Sequence, residues 1–159
     1  MSVASTKSAN TSRYLTFYLA DECYGVDITK VREIIALQRT TKIPKTPIYM
    51  KGVMNLRGNI IPVVDLRIKF GLSQKDADMY TAIVIVALFG INIGFIVDRV
   101  DEVVGVDMEQ MSETPRFGTK IDTGYIEKMI RTSRSVVMAL NLNTLISAKE
   151  LEGLDNVSV

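Results

Sequence analysis

Few side chains in this sequence are equipped for chemistry. The chain has no histidine, no tryptophan and a single cysteine, Cys23. That excludes a Ser-His-Asp triad, a Cys-His dyad and any histidine-ligated metal. One cysteine makes neither an internal disulfide nor a zinc-binding cluster. Asp, Glu, Lys, Tyr and Cys23 remain. Cys23 lies in the turn DECYG beside Asp21 and Glu22, and neighbouring carboxylates disfavour a thiolate. Asp98, Asp101, Glu102, Asp107 and Glu109 are close in sequence. Without the spacing and central glycine of a calcium loop they read as an acidic strand surface. The expectation is therefore a binding protein with no metal, no cofactor and no catalytic residue. The rival is an enzyme with a carboxylate pair in a cleft, one of them with a raised pKa.

The elements that must position these residues fit one domain. The chain has 159 residues, 47% of them hydrophobic and 23% charged, as in an ordinary globule. A chain of this length buries roughly 70% of its unfolded surface, so it needs no disulfide or metal staple. The longest apolar run, residues 82–89, is far short of the roughly 20 a membrane helix needs. Residues 1–13 are rich in Ser and Thr with no apolar core, which predicts a flexible tail, no secretory signal and a cytoplasmic location. Charge is uneven: residues 30–75 hold ten basic and two acidic side chains, residues 76–127 ten acidic and three basic. Such segregation suits a protein facing two different partners, or simply two unevenly coloured solvated faces. The basic residues are scattered, with no zinc finger, helix-turn-helix or aromatic RNA motif, so nucleic acid is not an expected partner.

Along the chain, strands are predicted over 14–20, 24–27, 37–43, 60–64, 81–89, 93–97, 100–106 and 135–140. Residues 28–35 carry Ile28, Val31, Ile34 and Ile35 at helical spacing behind Asp27 as N-cap, predicting one or two helical turns. Pro44 and Pro47 hold a loop extended, and Gly58-Asn59 is a hairpin signal. Pro62 cannot donate to a ladder and belongs at an edge or bulge. Asp65 caps a short helix over 66–70, ended by Gly71. The continuous apolar strand 81–89 should be covered on both faces, and Gly90-Ile91-Asn92 turns it into the next. Residues 108–123 read as loop, 125–130 as a helical turn and 143–151 as a terminal helix.

Two stretches match without gaps: YGVDITKVREI from Tyr24 and IGFIVDRVDEV from Ile93. They align Gly25 with Gly94, Ile28 with Val97, Val31 with Val100, Glu33 with Glu102 and Ile34 with Val103. A second pair, IPVVDL from Ile61 and VMALNL from Val137, follows in the same order. In both, an apolar strand runs into Asp or Asn and then Leu. Two related β-lobes in one domain are expected.

The stretch GVMNLRGNIIPVVDLR from Gly52, with VREI from Val31 and the proline-spaced loop between them, resembles the CheW family, the coupling proteins of bacterial chemotaxis. The resemblance runs from about Tyr14 to Glu150. It implies a mostly β fold: two intertwined five-stranded β-barrel lobes related by a pseudo-twofold, with short helices and a C-terminal helix. The domain would span 14–152, between tails 1–13 and 153–159. The family implies a non-catalytic adaptor that couples the cytoplasmic tips of methyl-accepting chemoreceptors to the regulatory domain of the histidine kinase CheA. It would be recruited to the inner face of the membrane through receptors, without inserting, and monomeric outside receptor arrays. A coupling protein of another pathway, such as pili or surface motility, is the nearest alternative. The second half departs from the family pattern at MSETP (111–115) and EKMIRTSR (127–134), which bears on that lobe's contacts.

The resemblance also assigns roles. Arg57 would bind receptor with Glu33 as ion-pair partner, since a guanidinium holds a carboxylate through two parallel hydrogen bonds. The plain alternative is an ordinary surface pair. Val31 would line an apolar groove for a receptor helix, whereas Ile28 and Ile34 read as core. Gly52 and Gly58 are turn residues that shape the kinase-facing surface. Pro62 either ends a strand that meets another chain or blocks aggregation.

Overall fold

The computed structural model describes residues 11–113, 123–147 and 150. Among the described residues, eleven strands form two sheets. They are β1 (Thr11–Leu19), β2 (Glu22–Asp27), β3 (Val31–Ala36), β4 (Met50–Leu56), β5 (Asn59–Asp65), β6 (Ala82–Leu88), β7 (Ile91–Val97), β8 (Arg99–Asp107), β9 (Met111–Ser112), β10 (Ile126–Arg131) and β11 (Val136–Leu140). The first sheet runs β8-β1-β2-β11-β10-β9 and the second β3-β6-β7-β5-β4.

That order is the repeat made physical. β1, β2, β3, β4 and β5 of the first half correspond to β6, β7, β8, β10 and β11 of the second. Each sheet joins strands of both halves: β3 pairs with β6, and β8 pairs with β1. The two central parallel ladders agree residue by residue. Val63 pairs with Gly94, and Ala139 pairs with Gly25, the positions the two sequence matches make equivalent. Bulges recur too, between Met50 and Gly52 and between Ile126 and Lys128. A bulge bends and twists its strand, which lets a small sheet curl. The lobes are thus intertwined and barrel-like. One sheet has six strands rather than five, because the two-residue β9 joins its edge.

Three cores follow. A central cluster between the sheets draws Phe17, Tyr24, Leu66, Phe70, Phe95, Leu142 and Ile146 from both halves. Each lobe then has its own interior: Tyr14, Cys23, Val106, Ile130, Val137 and Ala139 in one, Met54, Leu56, Ile61, Val63, Ile83 and Ile85 in the other. β6, as its unbroken apolar run predicts, is buried on both faces at Ile83–Val86.

Several expectations need correcting. Residues 28–35 are not a helix. Asp27 does cap, accepting from Thr29 N–H, but only a 3-10 turn over Ile28–Lys30 follows before strand β3. β3 alternates between half-buried and exposed, and a bulge between Val31 and Glu33 sets Val31 and Ile34 opposite Val86 and Val84, on one face of the sheet, so pairing with β6 has overridden a spacing that also fits a helix. Residues 37–43 form no strand beyond a single bridge from Thr41 to Val53. The hairpin turn is Arg57-Gly58 rather than Gly58-Asn59, with φ 52° and 89°, and the later one is Phe89-Gly90, with φ 53° and 80°. In both the chain turns one residue early, putting two positive-φ residues at the centre as a tight hairpin requires. Residues 125–130 are mainly strand β10, led by the 3-10 turn Thr123–Tyr125. Within 108–123, a 3-10 turn Met108–Gln110 and β9 precede residues outside the description. β1 begins at Thr11, inside the stretch expected to be tail, because β8 supplies partners from Asp107 to Gly105. The helix expected over 143–151 is a single turn, Leu142–Leu145, capped by Asn141. Ile146, already extended, ends that turn, and Glu150 N–H donates to the Ser147 carbonyl at 3.1 Å; residues 148 and 149, like residues 1–10, 114–122 and 151–159, lie outside the described residues.

Pro62 sits in β5, which is interior to its sheet, yet outside the β5–β7 ladder, which starts at Val63. Its missing N–H is therefore at a local edge, as its chemistry demands. Asp65 caps the Leu66–Lys69 helix through Arg67 and Ile68 N–H, and Gly71 takes φ 75° behind it.

Candidate functional site

The NLRG segment is the β4–β5 hairpin tip. Asn55 Oδ1 accepts the Gly58 N–H at 2.8 Å and ties the turn. Arg57, held at φ 52°, projects from it. Its Nη1 donates to Glu33 Oε1 at 3.1 Å and its Nη2 donates to Oε2. The hydrogen bonds from Arg57 hold the Glu33 carboxyl below its usual range, and Glu33 raises Arg57 in turn. Glu33 is on β3, one edge of the second sheet, and Arg57 follows β4, the other edge. The pair therefore spans the seam where the sheet closes on itself.

Backbone closes the same seam. Thr41 and Val53 exchange hydrogen bonds of 2.7 and 2.9 Å. Gly52 makes this approach possible: its φ is +137°, and a Cβ there would lie 2.1 Å from the Thr41 carbonyl oxygen. Gly52 thus shapes the seam by what it leaves out.

Around the pair the surface is mixed. Val31 is half-buried and packs on the central core with Ile28. Ile34, read from sequence as core, is 44% exposed, as is Ile60 at 44%. The structure thus brings Glu33 and Arg57 together; Ile34 follows Glu33 along β3 and Ile60 lies three residues past Arg57 on β5. Gly58 is in the same turn, whereas Pro62 is buried inside the lobe.

Among the ion pairs that sequence reading missed, two stand out. Arg67 grips Asp98 through Nε to Oδ1 at 2.8 Å and Nη2 to Oδ2 at 2.7 Å. The same carboxylate accepts Ala20 N–H at 2.8 Å. This node joins the end of β5 to the β1–β2 turn and the β7–β8 crossing, so it ties the lobes together. Burial alone would raise the Asp98 carboxyl; the hydrogen bonds from Arg67 and Ala20 outweigh it and hold it below its usual range. The second is Arg134, which reaches both Asp101 at 3.0 Å and Glu102. The repeat, by aligning Glu102 with Glu33, already held that signal. Of the five carboxylates within 98–109, Asp98 pairs with Arg67, while Asp101 and Glu102 share Arg134.

Asp98 and Asp78 line one surface indentation with Tyr18, Asp21, Lys75 and Arg99. Asp78 is also held low, by the Tyr80 backbone N–H and by Lys75. Both shifts run opposite to what a general acid needs. The Cys23 thiol is buried and pushed up, first by burial and then by Asp101, not by its sequence neighbours Asp21 and Glu22.

Residues 13–150 match the family model described as CheW-like domain. The chemotaxis protein CheW of Klebsiella aerogenes is 34% identical over 145 residues, covering 91% of this chain and 87% of that protein. That of Treponema pallidum is 35% identical over 147 residues, covering 90% and 86%. The crystal structure of the scaffolding protein TtCheW from Thermoanaerobacter tengcongensis superposes with a TM-score of 0.80 at 36% identity, covering 87% of this chain and 94% of that one. With its two intertwined lobes and its NLRG hairpin, the chain belongs to the CheW family.

Proposed function

We propose that the protein is a non-catalytic chemotaxis adaptor that couples chemoreceptor tips to the regulatory domain of the kinase CheA. The family match and the scaffolding description of its structural relative support the adaptor reading. The observation that carries the receptor-binding assignment is the exposed Arg57–Glu33 pair bridging the lobe seam. An exposed bidentate pair adds little to stability, but it presents a fixed guanidinium and carboxylate beside the apolar Ile34 and Ile60. Val31 completes this receptor surface. Gly52, Gly58 and Pro62 act on the kinase-facing surface by shape: Gly52 by admitting Thr41, Gly58 by completing the turn, Pro62 by ending the β5–β7 ladder. In the cell the protein would be cytoplasmic and held near the membrane only through receptors.

The test is a three-component reconstitution of this protein, CheA and a chemoreceptor cytoplasmic fragment, read out as kinase activity. Arg57→Ala should fold normally, lose receptor pull-down and leave kinase binding in place. Unchanged receptor pull-down would remove Arg57 from the site. Failure of the parent protein to bind either component would overturn the adaptor reading.

A further inference from the structure

We propose that the connection between β3 and β4, residues 37–49 with Lys51, is a docking surface for an acidic protein segment carrying an apolar side chain. From Ile34 to Val64 the chain contains no acidic residue. Arg39, Lys42, Lys45 and Lys51 are all exposed. None of them makes an ion pair with a described residue. Six other cations do: Arg57 with Glu33, Arg67 with Asp98, Lys69 with Glu150, Lys75 with Asp78, Lys128 with Glu113 and Arg134 with Asp101 and Glu102. Arg13, Lys30, Arg32, Arg99 and Arg131 do not, but they are dispersed over other elements. Unpaired charge concentrated on one connection is complementary to an anionic partner.

The connection is also preorganised, which lowers the ordering cost of binding. Thr41 is bonded to β4. The Thr46 hydroxyl donates to the Ile43 carbonyl at 2.8 Å, and Met50 N–H to the Pro47 carbonyl at 2.9 Å. Ile43 and Tyr49 pack on the central core. Against that fixed frame Ile48 stands 73% exposed and Leu37 39% exposed. Isolated apolar knobs among cations suit a peptide with its own apolar side chain. An anionic membrane is the poorer fit, since stable anchoring needs a lipid chain or a broad apolar face as well as basic charge.

The test uses the full chain, 15N-labelled, titrated with a synthetic peptide of five Glu-Glu-Leu repeats. Shifts confined to residues 37–51, weakening steeply with salt, are expected. Lys42→Glu with Lys45→Glu should weaken binding about tenfold, a step of about 1.4 kcal/mol. The control Arg13→Glu with Lys30→Glu makes the same change in net charge at exposed cations elsewhere and should bind as the parent does. Ile48→Ser should weaken binding of the Glu-Glu-Leu peptide but not of a Glu-Glu-Ser peptide. Equal losses in both double variants, shifts scattered over the surface, or binding of phosphatidylserine vesicles but not of peptide would each overturn the proposal.

Discussion

The two lobes solve one problem with different parts. Each is a small sheet whose edges must meet. In the lobe built on β3-β6-β7-β5-β4, a single bridge at Thr41 covers β4, and Arg57 closes on one carboxylate, Glu33. In the other, β9 occupies the place of Thr41, pairing Ser112 with Met129, and Arg134 closes on two carboxylates, Asp101 and Glu102. Exposed aliphatic residues flank both seams at equivalent positions, Ile34 and Ile60 in one, Val103 (41% exposed) and Val136 (45%) in the other. Closure is therefore a property of the duplicated topology, and the chemistry offered at each seam is set by the turn that carries the arginine. A tight positive-φ turn fixes Arg57. Arg134 rides on the looser Thr132–Ser135 connection, tied by the Thr132 hydroxyl.

The sharpest break of this comparison is at Gly52. Its equivalent across the repeat is Lys128, at the same bulge, which carries a full side chain bonded to Glu113. Gly52→Ala would force the Thr41 carbonyl away and strain a positive φ. A loss of about 3 kcal/mol or more, up to failure to fold, is expected by chemical denaturation. A melting temperature equal to the parent's would mean that the seam has slack and that Gly52 is no determinant of it.

Asp98→Asn tests what the lobes share. Both side chains of the Arg67–Asp98 pair are largely buried, at 15% and 13% exposure, and removing the charge strands Arg67. A loss of about 3 kcal/mol is expected, the low end for a broken buried pair. Because the Asp98 carboxyl is held low in the folded state, its contribution is fully present above the unfolded carboxyl value of about 4 and is lost as pH falls through the folded value. Parent and variant should therefore converge in stability at acid pH. A constant gap from pH 7 to pH 2 would show that packing, not charge, is lost.

How much of this was legible beforehand depends on the kind of interaction. The repeat could be read because equivalent residues face equivalent neighbours: Gly25 and Gly94 pair with Ala139 and Val63 on parallel strands, and a Cβ at either would meet the equivalent Tyr14 at 3.5 Å or Ile83 at 2.7 Å. The Asp65 and Asn141 caps were legible because capping is local. β3 was misread because its apolar spacing satisfies a helix as well as a strand, and only β6, about fifty residues on, decides between them. Ile34 was misplaced with it. The Arg57–Glu33 pair came from resemblance, not spacing. The Arg67–Asp98 node was missed because nothing local marks a pair that joins the end of β5 to the β7–β8 crossing.

The arginines of the two seams should differ in binding rather than in stability. Arg57→Ala should weaken association with a chemoreceptor fragment about tenfold, whereas Arg134→Ala should leave it within about twofold. Neither should shift the melting temperature appreciably, because both guanidinium groups are mostly in water. Anisotropy with a labelled receptor fragment separates the two. Equal losses would make the seams functionally equivalent and give the pseudo-twofold a second receptor surface.

The smallest effect expected is the most pointed control. Lys128 sits where Gly52 sits, beside a bulge and next to the strand that closes its lobe. If the bulge itself dictated the residue, Lys128→Ala and Gly52→Ala would both be costly. If the constraint is the close approach of Thr41, only Gly52 matters. The Lys128–Glu113 contact is a surface pair whose carboxylate is 88% exposed, and such a pair is screened by solvent and salt. Lys128→Ala should therefore melt with the parent, at low and high salt alike. A clear loss that vanishes in high salt would assign the stability of the second seam to charge, and one that persists would return it to the bulge.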